Sequence, residues 1–241
     1  MYYGVGLIIL VVFVYAVWAS FFNTAPTCFD NKQNGAELGV DCGGSCSLLC
    51  ADTAKDPVVQ WARSMQTGAQ TYTAAAYVQN NNLGAGAKGV AYSFQLFDAN
   101  NSLVKEVDSV VDLPPVPTVP IIMPNISVGD RIVTHVQFAF ASQPVWHTVL
   151  AKTLPSLHLS QQNLAADGSR LSASITNQTL LDAKNVTVVA VLFDSNGVAR
   201  AASKSLVPVI AAQSSQQVVF TWGQAPLATI VRAEITILPS F

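Results

Sequence analysis

The sequence predicts a mainly β protein with a hydrophobic N-terminal helix, a small disulfide-rich collar and two tandem antiparallel β-sandwiches. Three observations predict it. An uncharged apolar segment opens the chain, all four cysteines follow within 23 residues, and two similar halves with strand-like alternation make up the rest. The expected boundaries are 1–23 for the helix, 24–54 for the collar, 55–153 for the first sandwich and 154–241 for the second.

The first element, residues 2–22, contains no Asp, Glu, Lys, Arg or His. At about 1.5 Å per residue, a helix of this length spans about 30 Å, close to the hydrocarbon thickness of a bilayer. Aromatic pairs at its two ends, Tyr2–Tyr3 and Phe21–Phe22, are typical of the membrane–water boundary. We therefore expect a transmembrane helix that contacts membrane lipid.

Two other interpretations of this segment stay open at the level of sequence. A cleaved signal peptide would use Val17 and Ala19 as a small-residue cleavage site, although the basic region that usually precedes one is missing. The hydrophobic helix of a filament subunit would instead pack against sister helices. Cell-membrane attachment and a cell-surface filament are thus the two locations expected.

The cysteine cluster predicts two local disulfides. Cys28, Cys42, Cys46 and Cys50 are separated by 13, 3 and 3 residues. Zinc sites usually show two close pairs separated by a longer loop, so disulfides fit better beside a membrane span. The spacing leaves all three pairings open. Because disulfides require an oxidising compartment, residues 28–241 are expected outside the cytoplasm.

The collar also carries oxygen donors that suggest calcium as its only candidate cofactor. Asp30, Asn34, Glu37 and Asp41 lie along a glycine-rich turn, and calcium takes six to eight such oxygens. The alternative is that these side chains cap turns, as Asx motifs commonly do.

The remainder contains an internal repeat. Val90–Val104 resembles Val186–Arg200, and Leu96-Phe97-Asp98 aligns with Leu192-Phe193-Asp194 at an offset of 96 residues. Such an offset fits one β-sandwich domain, not a short solenoid repeat. Further similarity is expected upstream, between 78–80 and 175–177, and downstream, between 137–140 and 219–222.

Within each half, apolar and polar residues alternate with the period of two that is typical of strands. Val90, Tyr92, Phe94 and Leu96 are one such series. Six or seven strands per half, with turns about every ten residues, favour two Ig-like sandwiches. The proline-rich stretch Leu113–Asn125 is expected to form an edge or an extended crossing.

Two motifs carry a resemblance to a known family. Cys28–Cys50 resembles an extracellular cysteine motif with the core Asp-Cys-Gly-Gly-x-Cys, and Phe94–Asp98 is similar to the F-x-L-Y-D signature of an Ig-like domain family, with Phe97 in place of Tyr. The layout resembles bacterial single-span surface proteins with tandem domains of this kind. The resemblance implies a fold and a location and brings no catalytic residues.

The sequence contains no recognisable motif of an enzyme active site. No nucleophile elbow or phosphate-binding loop is present, and His135, His147 and His158 are interpreted as surface-facing. The net charge of −2, without a basic cluster, gives no indication of nucleic-acid binding. Trp61, Trp146 and Trp222 are expected in the sandwich cores, although one of them could stack on a carbohydrate.

One face of the second half is unusually apolar. Val189 and Val191 stand where the first copy has Ser93 and Gln95, so this face is expected to meet the other domain or a neighbouring molecule. The function expected overall is that of a membrane-anchored structural or adhesive surface protein, able to associate with itself or with other envelope proteins. A pilin-like filament subunit is the alternative. A secreted carbohydrate-binding module or an enzyme is the less favoured class.

Overall fold

The computed structural model describes residues 2–22, 27–226 and 228–241, which form two compact units, Met1–Asp52 and Thr53–Phe241. Helix α1 is Tyr2–Phe22. The strands are β1 Val58–Gly68, β2 Thr71–Gln79, β3 Ala85–Phe97, β4 Leu103–Leu113, β5 Thr118–Ser127, β6 His135–Phe140, β7 His147–Thr148, β8 Leu157–Leu164, β9 Arg170–Asn177, β10 Ala183–Asp194, β11 Ala199–Ile210, β12 Ser215–Thr221 and β13 Ile230–Leu238. A short 3₁₀ turn, Ala151–Thr153, precedes β8.

The predicted N-terminal helix is present and covers the uncharged segment, Tyr2–Phe22. Its described large apolar side chains, from Val5 to Val17, are 41–66% exposed, and neither its first nor its last turn carries a charged residue. Measured by length and hydropathy, no helix among the described residues qualifies as a membrane span.

The collar is held by two disulfides, as predicted, and the structure identifies their pairing. Cys28 is bonded to Cys46 and Cys42 to Cys50, with Cα–Cα distances of 5.6 and 5.0 Å. Within residues 27–52, the buried apolar side chains are those of Cys46 and Cys50. The cross-links therefore take the place of a hydrophobic core in a segment too short to form one.

The second unit repeats one arrangement of strands twice. The first half has the sheets β1-β2-β5 and β4-β3-β6, with β7 paired to the start of β3. The second half has β8-β9-β12 and β11-β10-β13. All pairs are antiparallel, and β1 to β6 correspond in order to β8 to β13. This order confirms the internal repeat and the predicted number of strands.

The same order corrects one part of the predicted alignment. Residues 137–140 lie in β6, whose counterpart is β13, whereas residues 219–221 lie in β12, the counterpart of β5, and residue 222 directly follows β12. The predicted downstream similarity was therefore wrong, because similar aromatic patterns occur on strands that are not counterparts. The proline-rich stretch does form a crossing and then an edge strand, since β5 pairs with β2 on one side only.

In the second half, one hydrophobic cluster joins the two sheets. Leu171 and Ile175 of β9 pack with Val188 and Leu192 of β10 and with Phe220 of β12. In the first half, the inward series from Val90 to Leu96 is buried as predicted, at 0–4% exposure. The apolar faces that the alternation marks are thus the faces on which the sheets meet their cores.

Candidate functional site

The two halves meet through the central strands of two facing sheets. In β9 every second residue is buried, but β2 is buried from Tyr72 to Val78 and β10 from Val188 to Asp194. A strand buried on both faces has a second protein surface against its outer side. Here β11 lies against β1, β2 and β5, and β13 lies against β5.

Val189 and Val191, the residues proposed from sequence as an interface, are 2% and 0% exposed. They share a face of β10 with Phe193, whose ring lies 6.2 Å edge-on from both Trp61 and Tyr77 of the first half. Val189 also lines a cavity together with Ile121 and Ile122 of β5. This face is therefore occupied by the first half of the same chain.

A cluster of aromatic and charged side chains closes one end of this contact. Trp61 stacks on Tyr77 with ring centroids 4.4 Å apart. The Tyr77 hydroxyl donates to Glu234 Oε2 at 3.1 Å, and Glu234 also pairs with Arg232. The Arg232 guanidinium lies 4.3 Å from the centroid of the Phe193 ring. We call these five residues, Trp61, Tyr77, Phe193, Arg232 and Glu234, the interdomain cluster.

The interdomain cluster combines apolar burial with satisfied polar groups. Burial, reinforced by the neighbouring Glu234 carboxylate, raises the pKa of Tyr77, so that this phenol stays protonated and donates. The cation over the Phe193 ring adds a contact that depends on orientation. Such a set specifies one relative arrangement of the halves, whereas an apolar patch alone would tolerate sliding.

Among the described residues, the first copy shows a different contact at the equivalent position. Phe97, which aligns with Phe193, is half-buried and stacks on His135 at 5.1 Å between ring centroids. The two copies therefore share an internal core but differ on this outer face. That difference follows from sequence, because Ser93 and Gln95 in the first copy replace two valines of the second.

A repeated asparagine fastens equivalent loops in both halves. Asn80 donates through Nδ2 to the backbone carbonyls of Ala85 and Pro114 at 3.0 and 3.3 Å. Asn177 donates in the same way to Leu181, Ile210 and Ala211 at 2.8–3.2 Å. Each Oδ1 accepts a backbone N–H two residues further on. These residues align in the predicted repeat, although the repeat alone did not reveal their role.

A repeated aspartate at the end of β3 and of β10 holds the hairpin turn that follows it. Asp98 accepts from the backbone N–H groups of Asn100 and Ser102 at 2.9 Å, and Asp194 does so from Asn196 and Val198 at 2.9 and 3.0 Å. An arginine completes each site.

The arginine partners of these aspartates lie at different places in the chain. Arg131 contacts Asp98 at 2.8 Å, and Arg200 contacts Asp194 at 2.7 Å. The pKa of Asp98 is lowered mainly by the Arg131 guanidinium, and that of Asp194 mainly by the Val198 N–H. Sequence reasoning missed both arginines because they do not align in the repeat.

The four oxygen-bearing residues of the collar lie together, but their oxygens are largely engaged. Asp41 accepts from the N–H groups of Asp30 and Asn31 at 3.0 and 2.9 Å. Asp30 accepts from Lys32 N and from Asn34 Nδ2, and the Asn34 contact is the main cause of its lowered pKa. Glu37 accepts from the N–H groups of Asn34 and Asp41. These contacts are those of turn caps.

One oxygen of this group accepts no hydrogen bond, since Asn34 Oδ1 is buried without a partner among the described residues. The calcium hypothesis stays a prediction. Cys28, Glu37 and Cys46 bring potential ligand atoms within 4.8 Å of one another. The two sulfurs are consumed in a disulfide, however, and carry neither a proton nor the thiolate charge that metal binding requires.

The three histidines are exposed, as expected. His135 contacts the Thr134 hydroxyl at 3.3 Å, and His158 contacts the Ser156 hydroxyl at 2.9 Å. The tryptophans differ from one another. Trp146 is buried in the first half and Trp222 packs against the second core, but Trp61 lies in the interdomain cluster. Placing Trp61 in a sandwich core was therefore wrong, because its side of β1 faces the other half.

Comparisons with known proteins identify no family for the chain. No protein-family model matches it, and no curated protein sequence matches it. Among solved structures it is similar to a transglutaminase of red sea bream, with a TM-score of 0.27 and 10% identity. The alignment covers 77% of this chain and 31% of the transglutaminase. A likeness at this TM-score carries no argument about activity.

Proposed function

We propose that the chain is a membrane-anchored, extracytoplasmic structural or adhesive protein whose two β halves act as one rigid body. The observation that carries the proposal is the contact between the halves, in which Val189 and Val191 are buried and the interdomain cluster fixes the orientation. A flexible tether would not need such a contact, whereas a spacer that holds a surface at a set distance needs a fixed arrangement of its two halves.

We further propose that each half is an Ig-like sandwich. The support is the paired arrangement of three-stranded antiparallel sheets, repeated in the same strand order, with a shared core in the second half. The buried asparagine and the hairpin aspartate recur in both halves. These shared details favour the duplication of one domain over an origin from two unrelated domains.

The anchor is assigned to α1. Its described large apolar side chains, from Val5 to Val17, are 41–66% exposed, which supports an apolar phase outside the chain as their cover. A bilayer and a bundle of sister helices are the two candidates. The collar that follows, cross-linked twice within 23 residues, suits an oxidising and protease-exposed location.

The test is fractionation of the full chain expressed in a bacterial host. We expect it in the membrane pellet after a carbonate wash, released by detergent, with all four cysteines resistant to alkylation until reductant is added. Leu10→Arg with Phe13→Arg should release the chain, because each charge costs about 2.5–3.5 kcal/mol at the centre of a span. The matched control, Leu10→Ala with Phe13→Ala, should stay in the pellet.

Three results bear against this proposal. Wild-type chain in the soluble fraction would remove the anchor, and cysteines that react without reductant would place the collar in a reducing compartment. Ordered fibres of this subunit, seen by electron microscopy of the cell surface, would replace the anchor by the filament alternative.

A further inference from the structure

The two halves do not pack tightly along the whole of their interface. A cavity of about 780 Å³ lies between them, with walls from β3, β4 and β5 of the first half and from β10, β11 and β13 of the second. This volume is within the range of small-molecule sites, about 300–1,000 Å³. Sites of this kind are frequent where two domains meet.

Part of the cavity wall is apolar. Ile121, Ile122 and Val189 are buried and line it. Val110 and Leu206 line the same cavity while 65% and 60% exposed. Large exposed apolar side chains that border a concave apolar wall are a common feature of ligand-binding surfaces.

Three charged side chains line the cavity. They are those of Lys88, Lys204 and Asp112, and the Asp112 carboxylate accepts the Gly89 N–H at 2.8 Å. Lys88 Nζ lies 5.1 Å from the centroid of the Phe241 ring. Lys204 takes part in none of the ion pairs found among the described residues.

The position of Lys204 directs it toward the apolar wall. It is paired with Val189 across β10 and β11, so both side chains leave the same face of the sheet. Burial lowers the pKa of the Lys204 ammonium, which is the sign of a cation in a partly dehydrated position without a compensating anion.

We propose that this cavity binds an amphiphilic monoanion, with a carboxylate or phosphate head at Lys204 and Lys88 and an alkyl chain against Ile121, Ile122, Val189 and Leu206. The anion pairs with the Lys204 ammonium, and the alkyl chain covers the exposed side chains of Val110 and Leu206. A free fatty acid and an alkyl phosphate share this chemistry. This inference goes beyond the structural role proposed above and does not depend on it.

The test uses the full chain in nanodiscs of neutral phosphatidylcholine and a diazirine-bearing decanoate as the photoreactive probe. We expect labelled peptides that contain residues 119–122 or 204–206. Decanoate or decyl phosphate should compete, and the stronger competitor identifies the head group. Decanol should not compete. Equal competition by decanol, or labels confined to residues 2–22, would show only partitioning into apolar phases and would overturn the proposal.

A pair of variants separates the charge from the shape of the cavity. Lys204→Met keeps the stem but removes the ammonium, and we expect about tenfold weaker competition by decanoate, the usual size of one charge-assisted contact. Lys105→Met removes an exposed lysine of β4 outside the cavity and should leave labelling unchanged. Equal labelling of the two variants would refute the role of Lys204. Thermal melting of both confirms that they are folded.

Discussion

At the scale of single residues, each half depends on polar side chains that form hydrogen bonds with backbone groups in the loops. Asn177 is fully buried, and its amide donates to the carbonyl groups of Leu181, Ile210 and Ala211, while its Oδ1 accepts the Thr179 N–H. A buried carbonyl that loses its donor costs about 1–3 kcal/mol. We therefore expect Asn177 to make a large contribution to the free energy of unfolding through its hydrogen bonds.

We expect Asn177→Ala to lower the free energy of unfolding by about 1–3 kcal/mol, since the Ile210 carbonyl and the Thr179 N–H lose their side-chain partner. Urea denaturation of the full chain in detergent measures it. Gln178→Ala, at the adjacent exposed position, is the matched control and should change stability by less than about 0.5 kcal/mol. Equal effects of the two substitutions would mean that the loop, not the amide, carries the stability.

Asp194 makes stability depend on pH. Its pKa in the folded chain is lowered from the ordinary 3.8, first by the Val198 N–H and then by Arg200 and Asn196. A lowered carboxyl pKa contributes stability that is present above the unfolded pKa and is lost as pH falls through the folded one. The contribution is therefore complete at neutral pH and lost in acid.

We expect Asp194→Asn to be less stable than wild type at neutral pH and to lose less stability between about pH 5 and about pH 2. The urea midpoint as a function of pH measures this, with the difference between the two proteins narrowing in acid. Parallel curves would show that the carboxylate charge has no role and that the turn needs only an oxygen acceptor.

At the scale of elements, sequence reasoning succeeded wherever a pattern is local. The alternation from Val90 to Leu96 gave a strand and its buried face, and the spacing of four cysteines gave two disulfides. The pairing Cys28–Cys46 and Cys42–Cys50 did not follow, because it depends on turns at residues such as Gly43 and Gly44. A Cβ on Gly44 would lie 1.7 Å from the Ala36 carbonyl oxygen, a contact that spacing does not reveal.

The candidate site was predictable only in part. Val189 and Val191 stood out because valines broke the alternation, but their partners did not. Tyr77 and Glu234 are 157 residues apart, and neither is unusual in its own segment. The cavity was missed for the same reason, since its lysines come from β3 and β11 and meet only when the halves pack.

The collar depends on its cross-links more than the β unit does, because Thr53–Phe241 contains no cysteine. We expect reduction to make residues 27–52 sensitive to protease while a resistant fragment that contains the β strands remains. Limited proteolysis with mass spectrometry, with and without reductant, measures this. Cleavage within the strands under reducing conditions would contradict the independence of the two units.

At the scale of the whole molecule, the repeat provides a matched control position for experiments on the contact between the halves. Phe97 and Phe193 occupy equivalent positions on equivalent strands. Phe97 is half-buried against His135, whereas Phe193 is buried against Trp61, Tyr77 and Arg232. The same substitution at the two sites therefore compares a free outer face with a covered one.

We expect Phe193→Ala to cost about 3 kcal/mol or more, and Phe97→Ala about 1 kcal/mol, because only the former opens a cavity between packed sheets. Loss of this ring should also uncouple the halves, so that calorimetry of the full chain resolves two unfolding transitions in place of one. Fluorescence of Trp61, beside the lost ring, should report the earlier change. If Phe193→Ala unfolds in one transition with a cost no greater than that of Phe97→Ala, the halves do not depend on this contact. The rigid spacer would then lose its physical basis.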